Sequence, residues 1–236
     1  MWMLAGSIFA GCKWLTWSHR TVDAHFARHL SYLFAWAGLD ADTFLDSRSR
    51  TTRPAVSELI SGLGCLTLGI TLFFFVARRF ANNSPILVGW CGMLGITLVL
   101  HFGSFKILSF LFRSVGILAR PLMNCPIAAS GISDFWSHRW NTAFRDFTHE
   151  FVFRPVVRRM GPHAAIVAGF LFSGLVHDLV ISVPAGGGFG LPTLYFVIQL
   201  AALFFERSSL GRRLRLSRGL LGRLFTVTVL IVPIGM

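Results

Sequence analysis

Long apolar runs separated by short basic segments form the main hydrophobic pattern of this chain. A helix needs about 20 consecutive apolar residues to cross the hydrocarbon core of a bilayer. Runs that predict membrane-spanning helices lie at residues 55–77, 85–118, 163–183, 191–205 and 220–236. The run at 85–118 is long enough for two crossings, so we expect a helical hairpin bent near residues 101–104. The pattern predicts an all-α, multi-pass transmembrane helical bundle.

The beginning of the chain has a weaker apolar pattern. Its apolar pieces at residues 1–12 and 30–39 are too short for a full crossing. We therefore expect an N-terminal interfacial or partial-span segment at residues 1–54 and a transmembrane domain at residues 55–236.

The polar segment at residues 130–161 has helical periodicity. Aromatic residues recur at steps of three or four and form one stripe: Trp136, Trp140, Phe144, Phe147 and Phe151. Polar residues form a second stripe: Asp134, His138, Asn141 and Arg145. The two stripes predict one amphipathic helix that lies at a membrane interface or against a bundle.

Composition supports a membrane protein. Apolar residues make up 54% of the 236 residues and charged residues only 14%, compared with about 25% charged in soluble domains. The net charge of +12 comes almost entirely from arginines at the ends of apolar runs, which indicates topology and contact with anionic lipids rather than nucleic acid. The basic segments 120–162 and 206–218 should both face the cytoplasm. Four widely spaced cysteines predict neither a disulfide framework nor a metal site.

His177 is the first candidate for chemistry. An ionisable side chain within an apolar run faces protein or a cavity, and neutral imidazole near its usual pKa suits general-base catalysis. The alternative is a core histidine that hydrogen-bonds a neighbouring helix. Adjacent Asp178 does not face the same side of a helix, so we expect it to pair helices rather than to orient His177.

Asn141 is the second candidate. Its carboxamide could bind a developing oxyanion or position a hydroxyl group without changing charge. The alternative is a local backbone hydrogen bond that caps the helix, since asparagine often makes one.

Other side chains of the same segment have two interpretations each. Trp136 and Trp140 are interface anchors or substrate contacts, and His138 lines a cavity or a solvated face. Arg139 and Arg145 bind phosphates of a nucleotide-bearing substrate, or they serve topology and lipid contact. No recognisable nucleophile turn is present, so the simplest chemistry is direct transfer between two bound substrates with one base.

With these residues identified, the chain resembles a membrane-bound O-acyltransferase of the wax-synthase-like branch. The segment "PIAASGISDFWSHRWNTAF" at 126–144 is similar to the signature of the branch, and "HEFVFRPVVRR" at 149–159 to the segment after it. "FLFSGLVHDL" at 170–179 resembles the Ser-Gly-x-x-His helix, and "PTLYFVIQLAALFFER" at 192–207 the next helix. "YLFAWAGLDADTFL" at 32–45 resembles an upstream segment, with Trp36-Ala37-Gly38 where the branch usually has Trp-Pro-Gly.

The resemblance implies transfer of a fatty acyl group from acyl-CoA to a hydroxyl of a lipophilic alcohol, with acyl-CoA as co-substrate and no tightly bound cofactor. It makes His177 the catalytic histidine of the family and Asn141 its polar partner. We predict substrate contacts from Trp136, His138, Arg139, Trp140, Arg145 and Ser173.

The resemblance also sets the alternatives and the location. An inactive or truncated family member is one alternative, because family members usually carry additional spans. A lipid or small-molecule transporter is the other, although no inverted repeat favours it. We expect a multi-pass integral protein of the bacterial inner membrane, or of the endoplasmic reticulum in a eukaryote.

Overall fold

The computed structural model describes residues 2–48, 51–80 and 84–235. Within these residues all regular secondary structure is helical, which confirms the predicted all-α class. The chain divides into two compact units, one of Met1–His19 with Asn124–Met236 and one of Arg20–Met123. We call them the histidine unit and the glycine-pair unit. The functional division predicted at residue 54 stays a prediction.

The glycine-pair unit contains short helices before two long ones. Its helices are α2 (Phe26–Leu30), α3 (Ala41–Leu45), α4 (Val56–Thr71), α5 (Ala77–Arg79), α6 (Pro85–Thr97) and α7 (Phe105–Ser114). π-Helical segments continue or join them at Ser31–Ala35, Leu72–Val76 and Leu98–Ser104.

The histidine unit begins with α1 (Trp2–Ser18) and resumes at residue 124. Its further helices are α8 (Ile132–Asp134), α9 (Thr142–Thr148), α10 (Arg154–His177), α11 (Val183–Ala185), α12 (Leu191–Arg207), α13 (Ser209–Arg213) and α14 (Gly219–Ile231). π-Helical segments lie at Phe135–Arg139, His149–Phe153 and Asp178–Ser182, and 3₁₀ turns at Pro126–Ala128 and Val232–Gly235.

Three helical stretches within the described residues are long and apolar enough to cross a membrane: Val56–Arg79, Ile86–Ser114 and Thr142–Ala185, the last with a kink at Gly161. They match the runs predicted at 55–77, 85–118 and 163–183. The runs at 191–205 and 220–236 form helices of 17 and 13 residues, shorter than the about 20 that a full crossing takes. Met1 and Met236 lie outside the described residues.

The predicted hairpin at 85–118 is wrong. Residues Leu98–Ser104 are π-helical and keep the chain helical from α6 into α7, so one long helix replaces two short ones. The polar groups near 101–104 therefore mark a widened helical turn rather than a chain reversal.

The predicted single helix at 130–161 is also wrong, because the chain leaves the helical conformation in two places. Trp140 is extended, with φ −104° and ψ 126°, and Asn141 is left-handed, with φ 39°. Asparagine tolerates this conformation better than most residues, and here it starts a new helix. A second break lies at Gly161, with φ 83° and ψ 175°, just before Pro162.

Small residues and ionic side chains hold the long helices of the glycine-pair unit together. A Cβ on Gly69 would lie 2.7 Å from Gly95 O, and one on Gly95 would lie 3.0 Å from Gly69 O. Such close backbone approach is typical of helix packing in membranes.

Polar side chains also join these helices. Arg113 of α7 forms an ion pair with Glu58 of α4, and Lys106 Nζ donates to Ser61 Oγ at 2.7 Å.

The histidine unit places α12 against both α10 and α8. Its core contains Ile132, Ala202 and Leu203, with Trp136 and Phe170 packed against it.

Asp178 joins the end of α10 to the start of α12, because its carboxylate accepts from Gly190 N at 2.7 Å and from Thr193 N at 3.1 Å. This agrees with the helix-pairing role expected for Asp178.

Candidate functional site

His177 is the last residue of α10 and its ring is fixed by a single backbone contact. Its Nδ1 lies 2.7 Å from Ser173 O, one helical turn earlier. A carbonyl oxygen only accepts, so Nδ1 carries the proton and Nε2 keeps a lone pair. Among the described residues, Nε2 has no hydrogen-bond partner. The helix itself thus selects the tautomer in which Nε2 can accept a proton.

Aromatic side chains surround the His177 ring. The centroid of the Phe196 ring lies 4.8 Å away, and that of Phe144 lies 6.2 Å away in an edge-on arrangement. Phe144 in turn stacks on Phe172 at 6.1 Å. The imidazole is half-buried in these rings, which limit the access of water to it.

Asn141 is connected to His177 through Phe144. Its Oδ1 accepts from Phe144 N at 3.2 Å and caps α9, which is the local bond named as the alternative role. The Phe144 ring contacts the imidazole, so the sequence-distant Asn141 and His177 belong to one neighbourhood. The catalytic role of Asn141 stays a prediction.

Trp136 contacts one aromatic side chain on each of the helices α10 and α12. Its ring contacts Phe196 at 5.4 Å and Phe170 at 6.0 Å. Phe196 is also the neighbour of His177. The indole Nε1 is buried and has no hydrogen-bond partner among the described residues. A buried donor of this kind normally has a partner, so the position suits a substrate oxygen.

Arg139 is engaged by its own segment. Its Nε donates to Asp134 Oδ2 at 2.7 Å, and its Nη1 donates to Cys125 O at 3.3 Å. Asp134 Oδ2 also accepts from Ser130 N at 3.0 Å. Burial raises the pKa of the Asp134 carboxyl, but the hydrogen bonds from Ser130 and Arg139 outweigh it and hold that pKa below its usual range. Arg139 therefore stabilises the helical segment that carries Trp136.

Arg145 and His138 also contact the segment itself. Arg145 Nη1 donates to Ser137 O at 2.8 Å, and its Nε lies 2.8 Å from Asp146 Oδ1. That second contact is an ion pair by distance and lacks hydrogen-bond geometry. The side chain of His138 is 69% exposed, with Nδ1 3.6 Å from Asp134 Oδ1. Substrate contact by either residue stays a prediction.

The last two residues predicted to contact substrate, Trp140 and Ser173, contact neighbouring groups of the protein. Trp140 stacks on Phe135 with a centroid distance of 5.5 Å. Ser173 Oγ donates to Gly169 O at 2.8 Å, while Ser173 O holds His177. The structure thus brings His177 and Trp136 against the shared Phe196 ring, with Ser173 O bound to His177, while Arg139 and Arg145 bind groups of their own segment.

Glu206 is a residue of this site that the sequence did not single out. It is buried, and its carboxylate accepts from Ile132 N at 2.5 Å and from Ser133 N at 3.3 Å. A Cβ on Gly131 would lie 2.7 Å from Glu206 Oε2. The Glu206 carboxylate near the end of α12 therefore binds the first backbone N–H groups of α8. The sequence feature that could have identified Glu206 is its position as an acidic residue at the end of an apolar run.

Arg207 strengthens the same contact, since its Nε donates to Ser133 Oγ at 3.3 Å. No group of three or more His, Cys, Asp or Glu side chains within the described ranges is arranged to hold a metal ion.

Comparisons with known proteins indicate a family for the region that contains these residues. The family model described as "Membrane bound O-acyl transferase family" matches residues 119–198, a range that includes every predicted site residue. The chain is similar to "Probable long-chain-alcohol O-fatty-acyltransferase 3" of Arabidopsis thaliana, with 28% identity over 166 residues, 64% of this chain and 48% of that protein. "Probable long-chain-alcohol O-fatty-acyltransferase 1" of the same plant is 32% identical over 125 residues, 49% of this chain and 36% of that protein. The aligned region thus spans half or less of the length of these relatives.

Proposed function

We propose that this chain, whose segment 119–198 belongs to the membrane bound O-acyl transferase family, transfers a fatty acyl group from acyl-CoA to the hydroxyl of a lipophilic alcohol. The observation that carries the proposal is the contact of His177 Nδ1 with Ser173 O at 2.7 Å, because it leaves the Nε2 lone pair for a substrate proton. The relatives named as long-chain-alcohol O-fatty-acyltransferases support the class of acceptor.

In the proposed reaction, His177 Nε2 removes the hydroxyl proton as the alcohol oxygen attacks the thioester carbonyl carbon. The carbon–sulfur bond then breaks, and the proton on Nε2 passes to the sulfur of the leaving CoA. The products are an ester and free CoA, and the imidazole returns to its starting state. The aromatic rings of Phe144 and Phe196 exclude water, which would otherwise compete as the attacking nucleophile.

Asn141 is the residue that we assign to the developing negative charge. Its Oδ1 accepts from Phe144 N, and in this assignment the Nδ2 end of the amide donates to an oxyanion or to the acceptor oxygen. The left-handed backbone of Asn141 holds this group at the start of α9.

The donor side of the proposal uses the exposed arginines of the basic segment. Arg158 and Arg159 lie on the surface near the start of α10 and can pair with the phosphates of acyl-CoA. Nearby Arg154 pairs with Glu150 at 2.5 Å and is less suited to that role. The acceptor alcohol would enter from the bilayer.

The test is ester formation from labelled acyl-CoA and a panel of long-chain alcohols by the purified protein. We expect His177→Ala to lower the rate about 10²–10⁴-fold, the usual contribution of general-base catalysis, and Asn141→Ala to lower it by about 10²-fold. The matched control is His149→Ala, since His149 is exposed on the same helical run.

Full activity in both the His177 and the Asn141 variants would contradict the mechanism. An unchanged lipid profile with every alcohol would instead favour the non-catalytic family member or the transporter. The control must keep the wild-type rate for a loss at His177 to count.

A further inference from the structure

Gln199 presents a buried acceptor that the proposed mechanism does not use. It is fully buried on α12, and its Nε2 donates to Val229 O of α14 at 2.8 Å. Because a carbonyl oxygen cannot donate, this bond fixes which end of the amide is nitrogen. The other end, Oε1, is buried without a hydrogen-bond partner among the described residues.

Trp136 presents the complementary group. Its Nε1–H is buried and likewise has no hydrogen-bond partner in the described part of the chain. The Trp136 ring contacts Phe196 and packs against the cluster that contains Ala202 and Leu203. Gln199 lies between Phe196 and Leu203 on the same helix, and all three side chains are buried. The indole therefore lies along the face of α12 that carries Gln199.

Trp136 shares a ring neighbour with the candidate base, and Gln199 lies three residues after that neighbour on α12. Phe196 contacts the Trp136 ring at 5.4 Å and the His177 ring at 4.8 Å. The Phe196 ring thus connects the candidate base to the apolar interior in which one donor and one acceptor lack partners among the described residues. Buried groups of this kind are rare and costly, so a ligand that satisfies them gains affinity.

The chemistry of the pair selects the ligand group. A hydroxyl accepts from the indole N–H and donates to the amide oxygen, and so satisfies both. An ether oxygen satisfies only the indole, and a hydrocarbon satisfies neither. The reacting hydroxyl donates its proton to His177, so it cannot also donate to Gln199.

We infer that Trp136 Nε1 and Gln199 Oε1 bind a second, non-reacting hydroxyl of the acyl acceptor, so that the preferred acceptor is a long-chain diol rather than a simple alcohol. This inference rests on the proposed function. It makes Gln199 and Trp136 specificity-determining residues of the acceptor site, next to the base that activates the first hydroxyl.

The experiment compares three acceptors of equal chain length: a primary alcohol, the vicinal diol, and the diol with its second oxygen methylated. With wild-type protein we expect kcat/KM to rise from the alcohol to the methyl ether to the diol. Each hydrogen bond should contribute a factor of about 5–10. Trp136→Phe keeps an aromatic ring and should remove the advantage of the ether over the alcohol. Gln199→Met keeps the length of the side chain and should remove the advantage of the diol over the ether.

Tyr195→Phe is the matched control for Gln199→Met. Tyr195 Oη donates to Leu230 O at 3.3 Å, so its loss loosens the same contact between α12 and α14 without touching the amide oxygen. We expect the order of the three acceptors to be unchanged in this variant. If Gln199→Met does not fold, Trp136→Phe alone decides, because the indole is half of the proposed site.

The outcomes separate this inference from the proposed function. If no acceptor gives an ester, the proposed function fails. If esters form with equal kcat/KM from all three acceptors, the proposed function stands and the second hydroxyl site is wrong, as it is if the preference survives in both variants.

Discussion

The apolar helices of the two units provide two contrasting examples of how a polar group is accommodated. In the glycine-pair unit, Glu58 pairs with Arg113 and Lys106 donates to Ser61. In the histidine unit, the buried Trp136 Nε1 and Gln199 Oε1 have no partner among the described residues. The first arrangement joins helices, whereas the second leaves one donor and one acceptor without partners among the described residues.

This difference distinguishes polar groups that the fold alone explains from those to which we assign a ligand. A polar group in an apolar interior is costly unless it is paired, so an internally satisfied pair is explained by the fold alone. An unsatisfied group is explained only by a ligand, by water or by strain. The comparison therefore predicts that changes to the paired groups of the first unit alter stability, and that changes to Trp136 and Gln199 alter activity as well.

The largest effect on stability is expected from breaking the ion pair of the glycine-pair unit. Arg113→Met leaves the partly buried Glu58 carboxylate without its cation, and we expect a loss of about 3 kcal/mol in the free energy of unfolding. The double variant Glu58→Leu/Arg113→Met should recover part of that loss, because two apolar side chains replace the ion pair, while Ala55 N loses the Glu58 Oε1 acceptor that caps α4. Thermal unfolding in detergent measures both variants, and ester formation per folded molecule should stay at the wild-type rate.

A double variant with much less activity than wild type, at equal folded fraction, would contradict the structural assignment of this pair. The single variants Glu58→Leu and Arg113→Met give the remaining corners of the cycle and their coupling energy.

The next largest effect is expected at Glu206, where a structural contact supports the site. Glu206→Gln replaces one carboxylate oxygen with an NH₂ group that faces a backbone N–H of Ile132 or Ser133. We expect a loss of about 2 kcal/mol in stability, together with lower activity in the molecules that remain folded. Unfolding and ester formation are measured on the same sample.

Glu150→Gln is the control for this change. Glu150 pairs with Arg154 on the surface, with both side chains 53% exposed, so its effect should stay within about 0.5 kcal/mol. Equal effects at Glu206 and Glu150 would mean that the buried carboxylate does not hold the motif.

A smaller effect, of opposite sign at two positions, is expected from threonine-to-valine changes in the histidine unit. Thr148 Oγ1 is buried without a partner among the described residues, so Thr148→Val should leave stability unchanged or raise it by about 1 kcal/mol. Thr226 Oγ1 donates to Gly222 O at 2.7 Å, so Thr226→Val should lower stability by about 1 kcal/mol. Thermal unfolding of the two variants decides, and a destabilised Thr148→Val would show that its hydroxyl is satisfied.

The long helices could be predicted from the sequence because their cause is local. An unbroken apolar run such as that of Val56–Arg79 needs no tertiary partner to indicate a crossing. The same argument found His177, since an ionisable residue in an apolar helix is unusual wherever it points. Its tautomer also has a local cause, in the carbonyl of Ser173 one turn earlier.

The parts that the sequence did not predict depend on backbone conformation and distant contacts. The aromatic stripe runs through Trp140 and Asn141 with unbroken helical spacing, yet Asn141 is left-handed there and caps α9. Periodicity reports which face is apolar and does not report where a helix restarts. Glu206 lies 74 residues from the backbone N–H of Ile132 that it accepts from, and no spacing rule connects them.

The smallest effect is expected from a change of pH that protonates Asp134, the last residue of α8. Its carboxyl has a pKa below the usual value in the folded protein, because hydrogen bonds from Ser130 and Arg139 outweigh the opposing effect of burial. A lowered folded-state pKa means that this contribution to stability is fully present above the ordinary pKa of about 4 and is lost as the pH falls through the folded-state value. Unfolding measured from pH 7 down to about pH 3 should therefore show a destabilisation on acidification that is smaller in Asp134→Asn, whose side chain does not titrate. Because Asp134 is partly exposed, we expect this difference to be below about 1 kcal/mol and to shrink further at high salt. Identical pH profiles for the two proteins would mean that the carboxylate does not stabilise the helical segment that carries Trp136.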